Sequence, residues 1–244
     1  SGSTDPFAAE RFYGAAMTVD RSTATATAAE EAFPVGSASA RRVLAASCLI
    51  GGLLGAASGV AMAATPPMVG QERFSYPFDT TWHVVAELFF AVQHLALLAG
   101  LIGLALLPGT RRSRSTMIGL AVAVMGIVGL IGCEVLAIMI ADAAMSSPEA
   151  SAVGGAYGLA TTLTGVGLVV AGVGIARARL LPGAARWLVL ITGGYVFVIL
   201  FPAIFGPMVA GRLVITVWML LFAAIGYALL RTAEESRSDR DIVP

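Results

Sequence analysis

The sequence predicts an all-α integral membrane protein, a six-transmembrane-helix bundle with both termini cytoplasmic. Three observations predict it. Apolar residues make up 57% of the chain and charged residues 12%, with a mean hydropathy of +0.85. A soluble domain carries about a quarter charged residues, so a water-soluble fold would leave far too much apolar surface in water. Six apolar stretches are each long enough to cross a hydrocarbon core, which takes about twenty helical residues. The arginines, finally, cluster in alternate connections between those stretches.

Residues 1–40 are rich in Ala, Ser, Thr and Glu and lack periodicity, the pattern of a disordered polar leader. The opening Ser1-Gly2-Ser3 resembles a vector-derived remnant, and Met17 could be a natural start. The transmembrane domain is expected over 41–231, in spans at 43–64, 82–107, 117–145, 155–176, 187–206 and 208–230, followed by a short cytoplasmic tail over 232–244. The first span also imitates a signal peptide, with Arg41-Arg42, an apolar run and the small-residue site Ala61-Met62-Ala63. Gly51, Gly55 and Gly59, at four-residue spacing, favour an uncleaved packing helix instead. The third span is long and is expected to tilt or to extend past the membrane. Pro202 and Pro207 make the fifth span the least regular, with a kink or an early end.

Orientation follows from the arginines. Arg41 and Arg42 precede the first span; Arg111, Arg112 and Arg114 fill the second connection; Arg177, Arg179 and Arg186 flank the fourth; Arg231, Arg237 and Arg240 follow the last. Only Arg73 and Arg212 fall on the other side. The positive-inside rule then places both termini in the cytoplasm of a bacterium, in its inner membrane.

Composition also excludes chemistry. All fifteen basic residues are arginine, so no lysine can form a Schiff base with retinal or pyridoxal phosphate, or bind phosphate in a Walker loop. Net charge is zero and no basic patch points to nucleic acid. Cys48 and Cys133 lie in apolar segments and read as small hydrophobes, without disulfide or zinc spacing.

An internal echo links two of the arginine-bearing turns: Leu106-Leu107-Pro108-Gly109-Thr110-Arg111-Arg112 and Leu180-Leu181-Pro182-Gly183-Ala184-Ala185-Arg186. It fits a repeat of helical hairpins, or simply two Pro-Gly helix stops. The Leu-Pro and Arg186-Trp187 pattern, the late Trp218-Met219-Leu220-Leu221 and the Trp82-His83 pair before a Leu-rich helix together resemble uncharacterised multi-pass membrane proteins of GC-rich bacteria. That resemblance implies a topology over spans two to six and no activity.

Both histidines of the chain lie on one stripe of the second span: His83, Glu87 and His94, at offsets of four and seven. Four residues turn a helix by roughly 40° past a full turn and seven return nearly to register. Ionisable groups inside a bilayer are costly and mark functional sites. The third span carries Glu134 and then Asp142. With a short connection the two spans are antiparallel neighbours, and the rise of about 1.5 Å per residue sets Glu134 at a depth between Glu87 and His94. Glu87, His94 and Glu134 are thus the candidate site for proton transfer or ligand binding, with His83, Asp142, Arg212, Tyr157 and Thr161 as candidate substrate-binding residues. Arg212 could pair with Glu134, Asp142 or an anionic ligand. Tyr157, Thr161, Thr162 and Thr164 offer hydroxyls, although threonines often bond their own helix.

The ligand types would also suit a metal. His83 and His94 are about three turns apart, however, so one ion or one haem cannot take both, and a bis-histidine haem within one chain is disfavoured. Three readings stay open. One is binding or transport of a small molecule or ion, proton-coupled and opening outward. Another is a membrane-embedded enzyme using a buried carboxylic acid on a lipid or isoprenoid. The third is an accessory subunit or homo-oligomer joined through Gly-rich faces, with Gly126 and Gly129 adding to the first-span glycines. The connection over 65–81, with Phe74, Tyr76, Phe78 and Trp82, reads as an interfacial aromatic belt or as a partial lid over an outward-facing site.

Overall fold

The computed structural model describes residues 37–241, so the expected leader falls outside the described residues except for its last four positions, as do residues 242–244. Six helical spans are long and apolar enough to cross a membrane. They are α1 (Ala38–Ala64), α2 (Thr80–Ala105), α3 (Arg114–Met139), α4 (Pro148–Ala178), a composite fifth span, and α7 (Met208–Asp241). The fifth span runs from a 3-10 turn at Gly183–Trp187 through α5 (Leu188–Tyr195) and a π-helical turn at Val196–Leu200 into the short α6 (Phe201–Ile204). Among the described residues there is no strand, only an isolated bridge between Arg73 and Ala144.

Local chemistry sets the boundaries. The side chain of Asp79 accepts a hydrogen bond from the Trp82 amide, Ser113 from the Thr116 amide and Ser147 from the Ala150 amide, capping α2, α3 and α4. These acceptors satisfy amides that a helix start leaves unpaired. Pro148 follows Ser147 at a position where its missing N–H costs nothing, which is why α4 begins there and not at 155. The third span stops at Met139, short of the expected 145, because the next residues turn their backbone toward the preceding connection. Phe74 N–H donates to Ala143 O at 2.9 Å, Ser75 N–H to Ala141 O at 3.2 Å, and Met145 N–H to Glu72 O at 2.7 Å. The fifth span carries a π turn and Pro202, and its helix ends at Ile204, before Pro207. The last helix continues past 230 to Asp241.

The spans form a closed ring in chain order. α1 packs between α7 and α2: a Cβ on Gly52 would stand 2.5 Å from Ala223 N, and one on Gly51 2.5 Å from Ala96 Cβ. α4 touches α3 as closely, since a Cβ on Gly119 would lie 2.5 Å from Ala171 N. The fifth span joins α7 through Trp218 Nε1–H donating to Thr192 O (3.1 Å) and Tyr195 O–H donating to Val214 O (3.0 Å). The half of the ring nearer the Thr110–Arg112 turn, its lower half here, is filled by Leu97, Leu101, Leu168, Ile175, Phe222 and Ile225, all buried. Exposed Leu54, Val92, Val128 and Val198 form part of the apolar outer surface, which suits lipid.

The glycine faces expected to serve a partner are occupied within the chain. Gly55 faces Gln93 and Met219, Gly59 faces Thr216, Gly126 faces Thr164, and Gly129 faces Ala160. Their small size lets backbones meet where lipid offers no hydrophobic drive to association. Replacing Gly119 by Leu is expected to cost about 1–3 kcal/mol through overpacking. Gly132→Leu should be tolerated, since nothing lies within 4 Å of its Cβ position. Thermal stability of the two variants in detergent, compared with wild type, checks both.

Candidate functional site

Above the packed lower half the ring encloses a cavity of about 630 Å³. Its floor is Gln93, Trp218 and Met219, and its roof includes Phe74, Tyr76 and Phe78 from the 65–79 connection. His83, Glu87, His94, Glu134, Tyr157, Thr161 and Arg212 all line it. Of the eight candidate site and substrate-binding residues, Asp142 alone does not.

α2 contributes its stripe. His83 Nδ1 lies 3.7 Å from Glu87 Oε1, and His83 Nε2 lies 3.3 Å from Ala137 O on α3. The Phe74 ring meets the His83 imidazole edge-on, with centroids 5.9 Å apart. α3 brings Glu134 against α2, so that His94 Nδ1 is 3.4 Å from Glu134 Oε1. That nitrogen is buried and has no hydrogen-bond partner among the described residues. α4 closes the cluster: the Tyr157 hydroxyl lies 2.7 Å from Glu134 Oε2 and 3.3 Å from Glu87 Oε2. Each histidine therefore stands beside a different carboxyl, and one phenol joins the two carboxyls. The separation that rules out a shared ion builds two histidine–carboxyl pairs instead. Among the described residues no group of three or more His, Cys, Asp or Glu side chains is placed to hold a metal ion.

α7 supplies Arg212, half-buried on the cavity wall and within electrostatic reach of Glu87, Glu134 and Tyr157. The expected ion pair to Glu134 or Asp142 does not form: among the described residues the arginine–carboxylate pair within 4.0 Å is Arg73–Asp142, beside the two histidine–carboxyl contacts. Thr161 is buried on the wall, whereas Thr162 and Thr164 donate to Gly158 O and Ala160 O of their own helix.

Asp142 has a different task. Its Oδ1 accepts from Arg73 Nη2 at 2.9 Å and from Thr80 Oγ1 at 2.6 Å, beside the backbone bonds already described. It is a latch that holds the aromatic connection over the cavity. Gln93 is a site residue that sequence reasoning passed over. Its Nε2 donates to Gly51 O at 3.3 Å and lies 2.9 Å from Met219 Sδ, setting the floor. A buried amide one position before His94 on a membrane helix was the available signal.

Comparison of the chain with protein-family models, with curated proteins and with solved structures finds no match. The six apolar spans suggest a multi-pass membrane protein, and a polar cluster lines the cavity between those spans.

The Asp142 latch is exposed, so its removal should cost no more than about 1 kcal/mol of stability. Asp142→Ala is expected to speed amide hydrogen exchange over residues 70–78 while leaving α2 and α3 protected. Unchanged exchange over that stretch would rule the latch out.

Proposed function

We propose that the chain is a membrane-embedded binding protein for a small anionic amphiphile. The ligand's apolar part fills the cavity, and its charged group sits between Arg212 and the Glu87–Tyr157–Glu134–His94 cluster. One observation carries this reading: the acidic groups of the wall are partnered and the cation is not. Glu87 and Glu134 have histidine neighbours and share the Tyr157 hydroxyl, whereas Arg212 has no ion pair within 4.0 Å among the described residues. A guanidinium in a largely apolar cavity is stabilised best by an anion that can take several of its N–H donors. Buried Thr161 on the same wall adds a second polar side chain to the cavity lining.

The carboxyls can hold and release a proton at their Oε atoms, which fits a bound group that changes protonation. The cavity is blind below Gln93 and Trp218, where the core is packed. That favours binding in a blind-ended site over a continuous pore, and a transporter that alternates its access would present such a one-sided cavity. A second reading, acid catalysis on a lipid-like substrate, draws support from the position of Glu87 and Glu134 on the cavity wall itself.

In this reading the cavity lies toward the outside and the arginine-rich turns lie in the cytoplasm. Cys48 and Cys133 are buried and should not react with a membrane-impermeant maleimide in intact cells. Thr65→Cys should be labelled there and Ser113→Cys should not; the reverse pattern would invert the orientation.

Binding is tested with hexyl phosphate, a water-soluble anionic amphiphile, on protein in nanodiscs. Wild type should bind it saturably, and Arg212→Gln should weaken binding at least tenfold, about 1.4 kcal/mol. Glu134→Gln should stay folded and alter the pH dependence of binding. Equal affinity in wild type and Arg212→Gln would sink the proposal.

A further inference from the structure

The cavity has a side door, and its location names the class of ligand. Along the lower half, α4 and the fifth span are in backbone contact: a Cβ on Gly172 would strike Leu190, and one on Gly193 would lie 2.6 Å from Val169 N. Higher up the contact loosens to side chains, with Phe197 and Val196 each 3.0 Å from a Cβ on Gly165. Beyond that the two helices part. Gly158 and Gly154, about two and three turns further along the same face of α4, have nothing within 4 Å of a Cβ. The separation begins where the π-helical turn at Val196–Leu200 and Pro202 redirect the fifth span.

The exposed residues of the cavity lining fall on α4 and where the fifth span ends. Gly154 on α4, and Ile204, Phe205 and Gly206 at the end of the fifth span, are its exposed residues; all the rest are buried or half-buried. Exposed Leu159 and Val198 flank the opening, so its nearby surface is apolar. The top, by contrast, is covered by the aromatic connection that Asp142 and the backbone bonds at 72–75 hold in place.

Resting on the reading of the cavity as an anion-binding site, we infer that its occupant is a membrane lipid with a phosphate-bearing headgroup, admitted sideways between α4 and the fifth span. The acyl chain lies in the gap beside Gly154 and Gly158, against Phe201 and Ile204. The phosphate reaches Arg212. A chain of methylenes needs only a smooth apolar slot, which two glycines facing open space provide, and it loses little on leaving one apolar phase for another. A purely water-soluble anion would need no opening in the apolar belt.

The test uses the full chain in phosphatidylcholine nanodiscs doped with phosphatidic acid that carries a diazirine in its acyl chain. Illumination of wild type should place adducts on peptides holding Leu130 and Ile215, which line the cavity and are not among the exposed apolar residues. Gly154→Trp should cut those adducts at least fivefold. The substitution meets open space, so the fold is expected to survive, and wild type should bind hexyl phosphate in the same nanodiscs. If hexyl phosphate binds but cavity adducts are absent from wild type, or persist undiminished in Gly154→Trp, lateral lipid access is overturned and the binding reading stands. Loss of both adducts and hexyl phosphate binding in wild type would overturn the two together.

Discussion

The structure hinges on how closely α4 can approach its two neighbours. In a bilayer, apolar side chains gain little by leaving lipid, so helices associate through tight packing and internal hydrogen bonds. Along its lower half α4 meets both partners at backbone distance, Gly167 against Ala123 of α3 and Gly172 against Leu190 of the fifth span. α3 keeps that contact higher, where Gly126 and Gly129 meet Thr164 and Ala160. The fifth span does not: past its π-helical turn at Val196–Leu200 and Pro202, Gly158 and Gly154 of α4 face open space. One helix with one neighbour that keeps close contact and one that does not leaves room for the cavity between them.

The polar cluster occupies the space thus opened. Groups such as Glu87, Glu134 and His94 would be expensive facing hydrocarbon alone, and they are spread over α2 and α3 so that Tyr157 of α4 can join them. Bonds of this kind between membrane helices contribute about 0.6–2 kcal/mol each. The cluster accordingly fastens three helices at the level where close packing of the fifth span has ended. All four residues also line the cavity, so a tie between helices is also a wall for a ligand. The Arg73–Asp142–Thr80 latch performs a similar service for the roof, at the solvent-exposed rim where hydrogen bonds are cheaper to form and to break.

Much of this was legible from sequence, for identifiable reasons. Hydropathy and length mark six spans because the hydrocarbon core imposes both. Helical periodicity and a short connection bring Glu87, His94 and Glu134 to one depth, since rise per residue is fixed and antiparallel neighbours share a register. Other features had no local signal. Asp142 and Arg73 are 69 residues apart, and their pairing depends on how two connections fold over each other. The glycines are the clearest instance. Gly51, Gly55 and Gly59 on α1 and Gly154 and Gly158 on α4 share a four-residue spacing, yet the first set is packed and the second faces open space. The difference lies in the opposing helix, and a π-helical turn leaves no pattern by which it could be foreseen.

Arg212 brings these threads to one point. A cation one turn into α7 could have closed directly on Glu87 or Glu134, which would give a buried ion pair and fill the cavity's charged end. Instead it stays beyond 4.0 Å from either while remaining within their field. Desolvating a guanidinium without a partner is costly, and a bundle that only needed stability would do as well with an apolar residue there. The carboxyls are meanwhile engaged by His83, His94 and Tyr157, which leaves them in place but less available to Arg212. The arrangement is economical if the charge of Arg212 is matched by a group that arrives from outside the chain, with a tail suited to the apolar slot beside Gly154 and Gly158.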